Sequence, residues 1–127
     1  MLIEFLPEFV LPIVTGIKIH TIRKDEIERW KLNSTMEMSV LNEVGGLEVF
    51  FRRNLVSKQR IKFFGLHNGY ESITIIIDGK ELDVIGFSIL VANSGFNSHV
   101  AFFDFFIPLA VNGCYFGWLL HWTDKKY

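Results

Sequence analysis

Residues 16–23 read Gly-Ile-Lys-Ile-His-Thr-Ile-Arg, and the rest of the chain can be arranged around them. Four chemically capable side chains fall within six residues. Lys18 offers an amine, Thr21 a hydroxyl, His20 an imidazole that titrates near neutral pH, and Arg23 a fork suited to carboxylate or phosphate. Upstream, residues 7–15 fit a short helix. Pro7 suits its first turn, Phe9, Val10, Ile13 and Val14 fall at helical spacing, and Gly16 can end it in a left-handed conformation. Pro12 shortens or kinks that helix. Residues 17–23 then read as a strand. If it is regular, Ile17, Ile19 and Thr21 share one face and Lys18, His20 and Ile22 the other. Lys18 and Thr21 can therefore serve one site only if the backbone departs from strand geometry near Lys18, through a bulge or a loop-like start.

Further out, residues 25–31 read as a turn ending on Trp30, whose ring either packs beneath the basic residues or stacks on a ligand. Residues 35–41 and 47–53 alternate as strands about a turn at 43–46, with Val49 and Phe51 on one side. Residues 57–64 form a further strand with basic side chains outward, and His67-Asn68-Gly69 a turn. The strongest strand is 72–77, with four isoleucines and a threonine, and Asp78-Gly79 makes a tight hairpin into 80–83. Residues 84–92 are continuously apolar. In 100–109, Phe102, Phe105 and Phe106 recur at helical spacing, with Ser98 placed to cap. Residues 115–122 return to strand. The pattern is that of one α+β domain over residues 1–127: a small β-barrel of about five to seven strands with two or three short helices.

Half of the residues are hydrophobic, enough for one filled core, and thirteen phenylalanines with three tryptophans favour sheet-rich packing. The net charge of −1 hides an imbalance: ten of the thirteen Lys and Arg but six of the fourteen acids lie between Lys18 and Lys62, leaving +4 there and −5 elsewhere. Such a segment makes either a basic face or the ordinary solvated side of strands. Cys114 is alone, so there is no internal disulfide, and its apolar neighbourhood reads as that of a buried, inert thiol. Residues 84–103 and 105–123 carry no Asp, Glu, Lys or Arg, but Asn93-Ser94-Gly95, Pro108 and Asn112-Gly113 break them into shorter buried elements. The apolar start carries Glu4 and Glu8 and lacks a basic leader. The chain reads as soluble and cytoplasmic, without a membrane partner.

His20, His67, His99 and His121 have no ligand-like spacing with one another or with Cys114, so no metal is expected. Gly45-Gly46 and Gly65 lack the lysine and hydroxyl partners of a phosphate loop, and there is no nucleophile elbow. What remains is Lys18 with Thr21. A threonine hydroxyl becomes a nucleophile only when a base takes its proton, and a lysine is that base only when burial or nearby cations lower its pKa. Binding asks for less. Lys18, Arg23, Arg29 and Lys31, with His20 and Trp30 beside them, combine phosphate contacts with aromatic faces for a base. An ordinary structural role accounts for the same residues, with Thr21 in the sheet and Lys18 and Arg23 neutralising Asp25 and Glu26.

The stretch 16–23 also resembles the signature of the ASCH domains of the PUA-like superfamily, in which an apolar helix and a glycine precede Lys-x-x-Thr and an arginine. Arg29-Trp30-Lys31, Asn93-Ser94-Gly95-Phe96 and His121-Trp122-Thr123 extend the resemblance. It implies a PUA-like barrel and RNA or modified-nucleotide ligands. In acetylcytidine amidohydrolases of this type, it implies Lys18 as proton acceptor, Thr21 as nucleophile and a later glutamate as proton donor. Here the acid expected before the glycine-aromatic pair is replaced by Asn93-Ser94, and neither side chain is a general acid at neutral pH. Catalysis then needs another carboxylate, such as Asp104 or Glu71. The expectation is a cofactor-free binder of a nucleotide, nucleoside or single-stranded RNA, with Lys18, His20, Thr21, Arg23, Arg29, Trp30 and Lys31 as ligand-binding residues. The alternatives are an amidohydrolase for an acylated nucleoside and a noncatalytic module that sequesters a nucleotide or binds a protein through an exposed patch at Phe102 to Phe106.

Overall fold

The computed structural model describes residues 1–24, 29–67 and 72–127. Leu2-Ile3-Glu4-Phe5 alternates exposed and buried positions and forms β1 (Leu2–Phe5). A 3-10 turn, Pro7–Phe9, runs into α1 (Val10–Val14), and Gly16 takes a φ of +84° to end it, as the sequence suggests. Pro12 is tolerated because its missing N–H lies in the first turn, where no helical acceptor waits. β2 (His20–Lys24), β3 (Thr35–Leu41), β4 (Leu47–Asn54) and β5 (Ser57–Phe64) follow. The isoleucine-rich β6 (Thr74–Ile77) turns through Asp78 and Gly79 into the two-residue β7 (Lys80–Glu81).

α2 (Val84–Asn93) is capped by Asp83, whose side chain accepts from the Gly86 N–H at 2.7 Å. α3 (His99–Phe106) is capped by Ser98, which accepts from the Ala101 N–H at 3.0 Å. A 3-10 turn at Ile107–Leu109 leads to β8 (Tyr115–His121).

Among the described residues these elements make an α+β architecture of eight strands in two sheets, where five to seven strands in one barrel were expected. β1, β3 and β4 form one sheet, with β1 parallel to β3. The other runs β2-β8-β5-β6-β7, antiparallel throughout. No closed ladder joins the two among the described residues. The unexpected strand is β1, whose parallel partner lies more than thirty residues away, so no hairpin announces it. The expected turns over residues 25–31 and 67–69 lie partly outside the described residues, and Glu71 lies wholly outside them.

Alternation gives the five-stranded sheet two buried faces. Ile22, Ile61, Phe63, Ile75, Ile77, Tyr115 and Leu119 pack against Leu90 and Val91 of α2 and Phe102, Phe103 and Phe106 of α3. On the opposite side, Leu120 and Trp122 pack with Ile3, Phe5, Met36 and Met38 of the small sheet and with Phe9, Ile13 and Trp30. The two clusters meet at Phe96. Cys114 is half-buried in a bridge with Val111 rather than fully buried.

Candidate functional site

β2 is an edge strand, and its free side opens into a cavity of about 620 Å³. One wall comes from β1, through Glu4 and Phe5, with Phe9 of the 3-10 turn beside it. The facing wall comes from Phe96, α3 and Tyr115, and Arg29 and Trp30 lie at one end. Between them sit Lys18, Thr21 and Arg23.

Lys18 and Thr21 reach one space because β2 begins only at His20. The backbone before it is not strand: the Pro12 carbonyl accepts from both the Ile17 and Lys18 N–H groups, each at 2.9 Å, and Ile19 N–H donates to Asn93 O at 3.0 Å. The departure from strand geometry that convergence requires is therefore present. Lys18 is only 3% exposed; its Nζ donates to Ser94 O at 2.7 Å and lies 4.8 Å from the ring centre of Phe9. Burial, reinforced by the Arg23 charge, holds this amine well below the ordinary lysine pKa.

The Asn93-Ser94-Gly95-Phe96 stretch explains how that partner is delivered. Ser94 ends α2, with its hydroxyl donating to Leu90 O at 2.7 Å, and Gly95 turns the chain at φ +83°. A Cβ at Gly95 would sit 3.1 Å from Lys18 Cβ, so glycine serves both the turn and the close approach. Where the resemblance anticipates an acid, Ser94 supplies a backbone carbonyl to the lysine.

Arg23 donates to Glu4 O at 2.7 Å and stacks over Phe5 at 4.6 Å. Burial lowers its pKa to about 10, against the raising effects of Tyr115 and Glu4. Burial pushes the Tyr115 hydroxyl up to about 12. Trp30 is packed and also lines the cavity: it is buried, its Nε1 donates to Lys24 O at 3.1 Å, and the Arg29 guanidinium lies 4.7 Å from its ring centre.

Two expected site residues are elsewhere. Lys31 is exposed and does not line the cavity. His20 projects to the helix side of the sheet, because strand parity opposes it to Thr21. There its Nε2 pairs with Tyr127 Oη at 2.8 Å, and its ring lies 5.5 Å from that of His121. His121 Nε2 pairs with Gln59 Oε1 at 3.0 Å, and Gln59 also donates to Asp78 at 3.0 Å. Burial first, then Lys18 and His121, keeps His20 well below its ordinary pKa, and burial lowers His121 to about 4.

Residue-type reasoning missed Glu4. Asp104 does not line the cavity, whereas Glu4 does, through a backbone carbonyl bonded to Arg23, with its carboxylate near enough to raise the Arg23 pKa. The alternation of Leu2-Ile3-Glu4-Phe5 was the available signal. Among the described residues, no three His, Cys, Asp or Glu side chains gather as a metal site, and no helix is long and apolar enough to cross a membrane. Phe102, Phe103 and Phe106 are buried in the helix-side core, whereas Phe105 is 37% exposed and lines the cavity. Comparison with protein-family models, with curated proteins and with solved structures gave no match.

Proposed function

We propose that this is an ASCH-type, PUA-like protein of the cytoplasm that holds a nucleotide, a nucleoside or the end of a single-stranded RNA in the cavity beside Lys18, Thr21 and Arg23. The observation that carries the reading is one space of about 620 Å³ with Arg23 and Arg29 on its wall and the rings of Phe5, Phe9, Phe96 and Trp30 around it. Its size suits a small ligand, the rings suit a base, and the guanidinium groups suit a phosphate. The Lys-x-x-Thr motif and the Ser94-Gly95 turn support the family assignment, because the cavity uses both.

The test is titration of nucleoside monophosphates and short RNAs at low and moderate salt. Saturable binding that weakens as salt rises is expected, and Arg23→Gln should weaken it by about tenfold or more, the scale of a charge-assisted hydrogen bond. No saturation with either ligand would overturn the proposal.

Glu4 favours a second reading, hydrolysis of an acylated nucleoside. A lysine held below its ordinary pKa can take the Thr21 proton as the hydroxyl attacks the acyl carbon. On this reading the Glu4 carboxyl group, close enough to act on the Arg23 charge, gives the departing amine its proton. Water then cleaves the acyl ester on Thr21 and frees the acid. Deacetylation of acetylcytidine that is lost in Thr21→Ala and Glu4→Gln is the expected result. Absence of turnover in the unaltered protein would retire this reading and leave the binding proposal standing.

A further inference from the structure

The outer face of β5 and β8 continues away from the cavity. On the register, Arg23 of β2 is opposite Trp118 of β8, which is opposite Arg60 of β5; the next pair outward is Phe116 with Lys62. The small sheet covers this face at Leu120 and reaches Trp118, but Phe116 is 48% exposed and Lys62 is exposed. The Arg60 and Lys58 cations lie 4.1 and 4.6 Å from the Trp118 ring centre, and Phe64 meets Phe116 edge-on at 5.8 Å. The outward strand positions of β5 and β8 carry no acid; the first carboxylate on the register is Asp78, in the turn after β6, and its oxygens already accept from the Arg60 N–H at 2.9 Å and from Gln59 Nε2 at 3.0 Å.

We infer that this face is a platform for a single-stranded polynucleotide leading out of the cavity. Bases stack on Phe116 and on the Arg60 plane over Trp118, and phosphates lie against Lys62. Charge complementarity selects the occupant: planar groups beside cations, on outward positions without carboxylates, match a polyanion whose bases are unpaired. A duplex hides its base faces and cannot use the rings. The inference rests on the nucleotide reading of the cavity only for where the strand begins.

The experiment compares uridine monophosphate, an eight-residue oligouridylate, the matching oligodeoxythymidylate and a duplex RNA, each titrated into the full chain and into Phe116→Ala and Lys62→Glu. The oligomer is expected to bind at least tenfold more tightly than the monophosphate. Each substitution should cost the oligomer roughly tenfold, the scale of one lost stack or phosphate contact, while leaving the monophosphate unchanged. Preference for oligouridylate over oligodeoxythymidylate supports an RNA strand, and equal binding supports the platform for either backbone. The inference is overturned if the oligomer binds no more tightly than the monophosphate, if neither substitution weakens it, or if the duplex binds equally well. An oligomer that depends on Phe116 while the monophosphate fails to bind would sink the cavity reading alone.

Discussion

Lys18 is a residue the fold bears at a cost. Its amine is almost wholly removed from water and bonded to one carbonyl, and no carboxylate is paired with it among the described residues. Replacing a buried charged group by an apolar chain of similar length is often neutral or stabilising. Lys18→Met is therefore expected to leave the unfolding midpoint unchanged or raised while abolishing ligand binding; a loss of more than about 2 kcal/mol in denaturation would make Lys18 structural instead. The histidines give a second prediction. His121 is held near 4, whereas an unfolded histidine titrates at about 6.5. As pH falls below about 6.5 the unfolded chain takes up protons first, so stability that is complete above that pH is lost down to about 4. The loss from His121 is on the order of 3 kcal/mol, and His20 acts in the same direction. The buried His121 Nδ1 has no hydrogen-bond partner among the described residues, so that ring has no acceptor ready for a second proton. Urea unfolding at successive pH values should show this slope, and His121→Asn should flatten it.

At the scale of elements, local rules were legible where they act locally. The four isoleucines of residues 72–77 announced β6, Asp78-Gly79 its turn, and Ser98 the start of α3. Ser98→Ala is expected to cost about 1 kcal/mol in thermal unfolding, because Ser98 satisfies an otherwise unpaired N–H of the first turn. No measurable loss would mean the α3 start is held by packing alone. Non-local facts were not legible. β1 reads as an apolar start, since only its parallel pairing with β3 makes it a strand. His20 looked like a site residue because its neighbours are, yet the strand that begins at His20 turns it to the opposite face from Thr21. The same boundary frees Lys18 from strand parity. Lys18 and His20, two residues apart and on one face of a regular strand, thus part because the strand begins only at His20.

The whole molecule sets two apolar clusters on the two faces of the five-stranded sheet and leaves its edge at β2 open. The basic bias between Lys18 and Lys62 acquires a location: Lys18, Arg23 and Arg29 line the cavity, while Arg60 and Lys62 lie along the adjoining face. Burial separates what each aromatic does. Phe102→Ala, at the centre of the helix-side cluster, should cost about 3–5 kcal/mol, whereas Phe116→Ala on the open face should stay within about 0.5 kcal/mol. Equal losses in chemical denaturation would contradict the division of the rings into core and surface. The central claim is that three separated side chains, an amine, a hydroxyl and a guanidinium, share one ligand-holding space. It is tested most directly by following backbone amide and tryptophan indole resonances while a nucleoside monophosphate is added. The account predicts saturable shifts concentrated at Lys18, Thr21, Arg23, Phe96 and the Trp30 indole; saturable shifts confined to the outer side of α2, or none at all, would contradict it.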